Sequence, residues 1–143
     1  ILRTSGLGSC VGVVVYDEHA SIAAMAHVML PDSSLARDKH LRVGKYADTA
    51  VQLLKDMLSE HGSNLMNLKA KIAGGSQMFQ FQTDNDMMRI GKRNVEAVKE
   101  HLHKLGIKLV AEDVGGSVGR TIEFNPETFV LTVRKVNDGI IEI

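Results

Sequence analysis

The sequence lacks a second cysteine, a net charge and any long hydrophobic run. With a single cysteine among its 143 residues, the chain cannot form an internal disulfide, which favours a reducing compartment and a cytoplasmic location. The 17 basic residues are balanced by 17 acidic residues, so the composition gives no reason to expect a nucleic acid or a membrane surface as partner. No apolar run approaches the ~20 residues that a spanning helix needs, so we expect no direct insertion into a membrane.

The length and the apolar content suit a single globular domain. At 143 residues, 44% of them hydrophobic, the chain is long enough to bury a core and needs no second domain, so we assign residues 1–143 to one unit. The chain begins at Ile1 rather than at a methionine, so we expect a further N-terminal segment. The lack of a visible signal peptide therefore carries little weight.

Hydrophobic spacing predicts two helices among several strands. Apolar residues at helical intervals predict one helix over about 45–61 and a second over about 91–105, and a glycine follows each. The predicted strands lie at 11–16, 22–30, 68–73, 108–113, 121–125 and 129–135. Strands outnumber helices and come in hairpins, which indicates an α+β fold with helices packed on a largely antiparallel sheet.

The only cysteine, Cys10, lies at the start of a strand-like run and among small residues. Gly8, Ser9 and Gly12 remove bulk around it, which would let a substrate approach the thiol. A lone cysteine is more often a small buried hydrophobic residue, and on this pattern the nucleophile and the inert thiol both remain open.

A predicted hairpin brings a histidine to this cysteine. Runs 11–16 and 22–30 are separated by a short polar break that begins at Asp17, and folding about the bond between Glu18 and His19 pairs residues whose numbers sum to 37. That register places Cys10 directly opposite His27, with Cβ atoms about 4.5–5.5 Å apart. An adjacent imidazolium would lower the pKa of the thiol. A histidine hydrogen-bonded at the edge of the core is the alternative, and the apolar strand by itself favours it.

Thr4 is a candidate to orient that histidine, but only if the chain bends. It lies six residues before Cys10, which is roughly 20 Å in an extended chain. Gly6 and Gly8 are the positions where a bend costs least. Ser5 and Ser9 offer other hydroxyl groups for the same task.

The remaining motifs favour structural roles. The pairs Gly74-Gly75 and Gly115-Gly116 stand outside any complete phosphate-binding motif and predict tight turns. His101 and His103 are two residues apart on a predicted helix, so they cannot share a metal as an i, i+4 pair could. A thiol redox protein is disfavoured because there is no resolving cysteine.

Seven blocks of sequence resemble the chemoreceptor glutamine deamidases of bacterial chemotaxis, the CheD family. The blocks are TSGLGSC at 4–10, MAHVMLPD at 25–32, GKYAD at 44–48, KIAGG at 71–75, MF at 78–79, IGKRNV at 90–95 and AEDVGG at 111–116. They follow the family order over nearly the whole chain.

The resemblance implies a fold and a chemistry. It implies a layered α/β/β fold, similar to the catalytic domain of cytotoxic necrotising factor toxins, and a Cys-His-Thr triad that falls on Cys10, His27 and Thr4. The implied enzyme is a hydrolase that converts glutamine side chains of methyl-accepting chemotaxis receptors to glutamate through a thioester. Backbone N–H groups around Ser9 and Cys10 would stabilise the oxyanion. No metal or organic cofactor is required.

The resemblance also implies two protein partners. A receptor helix must bring its glutamine to Cys10, so we expect a groove of small and apolar residues: Gly8, Ser9, Met29, Met78 and Phe79. Family members also bind and regulate the CheC phosphatase. The alternative function is therefore a mainly non-catalytic partner and activator of CheC.

Overall fold

The computed structural model describes residues 1–35, 42–77 and 89–143. Within them, eight strands and two α-helices follow one another along the chain. The strands are β1 (Leu2–Leu7), β2 (Val11–Asp17), β3 (Ile22–Val28), β4 (Leu68–Gly74), β5 (Lys108–Val114), β6 (Arg120–Asn125), β7 (Val130–Lys135) and β8 (Gly139–Glu142). The helices are α1 (Ala47–Glu60) and α2 (Ile90–Lys104), and 3₁₀ turns lie at Ser33–Leu35, Val43–Lys45 and Leu65–Asn67.

The strands form two four-stranded sheets, in the orders β1-β6-β7-β8 and β3-β2-β4-β5. Every neighbouring pair is antiparallel except β4 and β5, which run parallel. A parallel pair needs a crossover, and α2 lies in the segment between these two strands.

The two sheets and the helices make three layers. Strand β2 is buried along its whole length, and its side chains alternate between two cores. Val11, Val13 and Val15 face the apolar sides of α1 and α2, whereas Val14 and Tyr16 face the second sheet. A strand covered on both faces reads as a continuous apolar run, as this one does. The predicted α+β class and its layered α/β/β arrangement are confirmed; the likeness to cytotoxic necrotising factor stays a prediction.

Both predicted helices and all six predicted strands are present, with ends within two residues of the expected positions. Two strands were missed. β1 is interrupted by a bulge between Thr4 and Leu7 and pairs with β6, far along the chain, so no local pattern marks it. β8 has four exposed residues and shows no alternation of buried and exposed positions.

No helix in the described part of the chain is long and apolar enough to cross a membrane.

Candidate functional site

Cys10 lies one residue before β2, at the edge of the core between the two sheets. Its thiol is free and half-buried, and it packs against the same apolar cluster as Val14 and Tyr16. Met25 of β3 belongs to this cluster as well, and His27 follows it by two positions on the same strand. Since residues two apart on a strand share a face, Cys10 and His27 both lie on the side that faces the second sheet.

The predicted hairpin register is wrong by two residues. His27 pairs with Gly12 rather than with Cys10, and the ladder ends at the pair Val11 and Val28. A shift of two keeps every side chain on its original face, whereas a shift of one would have reversed them all. The thiol and the imidazole therefore share a face, but Cys10 is a diagonal neighbour and lies beyond the paired residues.

The hairpin loop explains the shift. Asp17 pairs with Ile22, so the loop consists of residues 18–21. Its centre is the bond between His19 and Ala20, one position after the predicted centre between Glu18 and His19. The Asp17 Oδ1 atom accepts hydrogen bonds from the backbone N–H groups of His19 at 2.9 Å and Ala20 at 3.1 Å. These bonds form an Asx-type turn, which ends the first strand one residue later than a symmetric loop would.

Gly12, which was expected to remove bulk around Cys10, makes room for a side chain of the second sheet. A Cβ atom at this position would collide with the Ile122 side chain of β6. The glycine therefore lets the second sheet approach opposite His27, and its small size serves packing between the sheets. It does not by itself open a path for substrate.

Thr4 reaches His27, as predicted. The Thr4 Oγ1 atom lies 2.9 Å from the Nδ1 atom of His27, and the bond joins β1 of one sheet to β3 of the other. The bend falls where it was expected: Gly6 has a φ of +69°, and its carbonyl accepts a hydrogen bond from Gly8 N–H at 3.1 Å. Neither Ser5 nor Ser9 takes this place. Within the described residues, His27 Nε2 makes no hydrogen bond.

Burial sets the charge state of the pair. Desolvation raises the pKa of the Cys10 thiol above its ordinary value of 9.0 and lowers the pKa of His27 below its ordinary value of 6.5. Both shifts favour a neutral thiol beside a neutral imidazole. The expected lowering of the thiol pKa is therefore not found; burial shifts both groups toward their neutral forms.

The glycine pair Gly74-Gly75, at the end of β4, supports the segment that carries Cys10. The N–H of Gly75 donates to the Cys10 carbonyl, and the N–H of Ser76 donates to the Gly8 carbonyl, both at 2.8 Å. Gly74 has a φ of +114°, and a Cβ atom there would collide with the Cys10 carbonyl oxygen. The predicted tight turn is present, and its close approach to Cys10 is a role that the sequence did not reveal.

A buried arginine holds this support in place. Arg120 of β6 donates from Nη1 to Ser76 Oγ at 2.7 Å and from Nε to Asp113 Oδ2 at 2.9 Å. Ser76 Oγ in turn donates to the carbonyl of Val118 at 2.6 Å. Nothing in the sequence pattern marked Arg120, because its bond to the Ser76 loop spans 44 residues of the chain.

Asn94 is a second residue that sequence reasoning missed. It is fully buried in the first part of α2, and its Nδ2 atom donates to the carbonyls of Ser9 and Met29, each at 3.0 Å. The motif at 90–95 was noted as a family block, but no role followed from it.

A cleft opens at the outer edge of β3. It has a volume of about 400 Å³, and Met25, His27, Met29 and Met57 contribute to its lining. Met29 is 44% exposed, so a bound protein could cover it. Of the other expected groove residues, Gly8 and Ser9 lie beside Cys10 and contribute backbone carbonyls to hydrogen bonds. Met78 and Phe79 lie outside the described residues.

No three His, Cys, Asp or Glu side chains come together as metal ligands in the part of the chain that the structure describes.

Comparison with known proteins identifies the family. A family model described as CheD chemotactic sensory transduction matches residues 29–135. The chain is 59% identical over 142 residues to the chemoreceptor glutamine deamidase CheD of Halalkalibacterium halodurans, covering 99% of this chain and 88% of that protein. It is 55% identical over 138 residues to the protein of the same name from Bacillus subtilis, covering 96% of this chain and 83% of that one. For the Thermotoga maritima protein the identity is 53% over 139 residues, with 97% and 84% covered. By these matches, which extend over nearly all of its length, the chain belongs to the CheD family.

Proposed function

We propose that this protein is a protein-glutamine glutaminase that deamidates glutamine side chains of bacterial chemoreceptors. The observation that carries the proposal is the Thr4–His27 hydrogen bond on the face that also holds the only thiol. A nucleophile, a base and a residue that orients the base are the parts that covalent acyl transfer needs. The names of the relatives supply the substrate class.

The hydrogen bond to Thr4 is compatible with the tautomer that this chemistry requires. Nε2 must be unprotonated to accept a proton from the Cys10 thiol, so the neutral ring carries its proton on Nδ1. Nδ1–H then donates to Thr4 Oγ1 across the 2.9 Å separation. When His27 becomes protonated, the same bond persists and stabilises the imidazolium.

The reaction then proceeds in two halves. As the Cys10 sulfur attacks the side-chain amide carbon, His27 takes the thiol proton and a tetrahedral oxyanion forms. His27 returns that proton to the leaving nitrogen. Ammonia then departs from the tetrahedral intermediate, which leaves a thioester. Water, deprotonated by His27, attacks the thioester, which releases glutamate and restores the thiol. Since burial shifts the pKa of each group toward its neutral form, we propose that proton transfer accompanies attack rather than preceding it.

The substrate face is proposed to accept a helix. A glutamine on a receptor helix would insert its side chain toward Cys10, while apolar residues of the helix contact Gly8, Ser9 and Met29. Met78 and Phe79, which lie outside the described residues, stay proposed contacts. The exposure of Met29 beside His27 supports this orientation. A glutamate methyl ester has the same acyl geometry, so we propose esterase activity at the same site.

Ammonia release tests the proposal. The protein is incubated with a receptor cytoplasmic fragment, and free ammonia is measured for the wild type and for Cys10→Ala. We expect stoichiometric release with the wild type and none above background with the variant. Release at equal rates from both proteins would contradict the assignment of Cys10.

Binding of CheC is the second proposed role, and a predominantly non-catalytic partner and activator of CheC is the alternative function. We propose that CheC occupies the receptor groove by presenting a helix of similar apolar pattern, so that it competes with receptor. Titration of CheC into the deamidation assay at several receptor concentrations tests this, and excess receptor should relieve the inhibition. A ternary complex of all three proteins would show separate sites. Phosphatase stimulation that survives Cys10→Ala would show that the binding role is independent of catalysis.

A further inference from the structure

The segment that carries the nucleophile and the segment that follows the base are joined by one buried side chain. Asn94 Nδ2 donates to Ser9 O, the carbonyl immediately before Cys10, and to Met29 O, two residues after His27. Asn94 has no exposed surface, so water does not compete for either bond. The amide nitrogen therefore bridges the two sides of the site directly.

The hydrogen bonds between β2 and β3 do not connect the segment before Cys10 to the segment after His27. Pairing between β2 and β3 ends at Val11 and Val28, and both Cys10 and Met29 lie beyond it. From the other side, Gly75 N–H holds the Cys10 carbonyl to the end of β4. Among the described residues, Asn94 is the only side chain that hydrogen-bonds to both the segment before Cys10 and the segment after His27.

The bond to Ser9 also sets the direction of a backbone donor. A trans peptide group holds its C=O and N–H on opposite sides, and no peptide bond in the described residues is cis. Since Ser9 O is directed at Asn94, the N–H of Cys10 is directed away from it. That N–H donates no backbone hydrogen bond within the described residues. It is a fixed, available donor on the nucleophile itself, as an oxyanion site requires.

Both bonds of Asn94 come from one nitrogen atom, since Nδ2 carries two N–H groups and each is donated to a different carbonyl. The position needs two N–H donors on a single nitrogen, and asparagine supplies them in the shortest side chain that can do so.

We infer that Asn94 is a positioning residue, which fixes the Ser9–Cys10 peptide so that the Cys10 N–H stabilises the oxyanion. The inference rests on the proposed deamidase function. Asn94 does not touch the reacting atoms; it acts through the backbone that it holds.

The test compares two reactions of the same thiol. Deamidation of a receptor fragment passes through an oxyanion, whereas alkylation of Cys10 by iodoacetamide displaces iodide and forms none. Both rates are measured for the wild type, Asn94→Asp, which keeps the size but loses the donors, and Asn94→Ala. Val98→Ala, at a fully buried position on the same helix, controls for general loosening of α2.

We expect kcat for deamidation to fall by about 10²-fold to 10³-fold in both Asn94 variants, the usual effect of losing an oxyanion donor. KM and the alkylation rate should each change by less than about threefold, because neither binding nor the thiol itself depends on the oxyanion. Val98→Ala should lower Tm and leave the ratio of the two rates unchanged.

Three results would overturn the inference: deamidation within about twofold of the wild type in both variants, a parallel fall of deamidation and alkylation, or failure of both variants to fold. The last would make Asn94 a residue of the fold. If the wild type itself releases no ammonia, the proposed function fails first, so the two failures are distinguishable.

Discussion

At the scale of single residues, the site depends on what burial does to two ionisable groups. Cys10 and His27 share a half-buried face between the sheets, and desolvation moves the pKa of each toward its neutral form. A neutral histidine whose Nδ1 is bonded to Thr4 is a competent base over a wide pH range. A neutral thiol needs that base at the moment of attack. In the proposed reaction, the chemistry is therefore carried by the pair rather than by a preformed thiolate.

The pH profile of deamidation should show this. The active form has a neutral His27, and burial lowers its pKa, so the acid limb of kcat/KM should have its midpoint below the ordinary value of 6.5. Activity rises with pH through that midpoint because His27 loses its proton. Alkylation of Cys10 should rise only above the ordinary thiol value of 9.0 and should be slower at neutral pH than that of a free cysteine. An alkylation rate that is already maximal at neutral pH would contradict the neutral pair.

Thr4 should matter through its hydroxyl. Thr4→Val preserves shape but removes the acceptor for Nδ1–H, so the ring loses its orientation and its favoured tautomer. We expect kcat to fall about tenfold to 10²-fold, less than the 10²–10⁴-fold typical of losing a general base outright. Thr4→Ser, which keeps the oxygen, is the matched control and should retain most activity. Equal activity in the valine and serine variants would remove Thr4 from the triad.

At the scale of elements, the nucleophile segment is held by turns rather than by strands. β2 begins only at Val11, so Cys10 takes its position from the turn after β4 and from α2. The contact between the Gly74 turn and the Cys10 carbonyl is the closest of these. The Cys10 carbonyl oxygen leaves no space for a side chain at Gly74.

Gly74→Ala should therefore damage the site and not only the turn. Gly115→Ala is the matched control, because Gly115 also has a positive φ, +82°, but has open space around its Cβ direction. We expect the control to lose about 1 kcal/mol in free energy of unfolding, the usual strain of a non-glycine residue there, with little loss of activity. Gly74→Ala should lose more stability and most of its deamidation. Full activity in folded Gly74→Ala would show that the turn does not position Cys10.

At the scale of the whole molecule, the site is assembled across the contact between two sheets. Thr4 and Arg120 belong to the β1-β6-β7-β8 sheet, whereas His27 belongs to the other sheet and Cys10 directly precedes one of its strands. Stacking of the sheets is thus a condition of catalysis. Gly12 shows the same dependence, since it makes room for Ile122 opposite His27.

Arg120→Met tests this coupling. The Arg120 side chain is 2% exposed, and it joins β6 to Asp113 and to the Ser76 loop. Removing one member of a buried ion pair should cost about 3 kcal/mol in free energy of unfolding, measured by urea denaturation. Deamidation should also fall, because the Ser76 loop that holds Gly8 is released. Arg134→Met, at an exposed position on β7, should leave both unchanged.

The sequence predicted the features that depend on local interactions and missed those that depend on residues far along the chain. The helices, the six local strands and the α+β class follow from hydrophobic spacing, whereas the layered α/β/β arrangement followed from the resemblance to the family. The face shared by Cys10 and His27 survived an error of two residues because side chains alternate with a period of two. The register itself depended on Asp17 capping the loop, which a symmetric hairpin ignores. Strand β1, Arg120 and Asn94 could not be found from local patterns, since β1 pairs with β6, Arg120 bonds to Ser76 and Asn94 bonds to Ser9, each far along the chain.

The central claim is that Cys10 carries the conversion of receptor glutamine to glutamate. Receptor peptides are analysed by mass spectrometry after incubation with the wild type, with Cys10→Ala, and with Ser5→Ala as a neighbouring control. The account predicts the glutamine-to-glutamate mass shift at defined positions with the wild type and with Ser5→Ala, and no shift with Cys10→Ala. The same shift, at the same rate, with folded Cys10→Ala would contradict it.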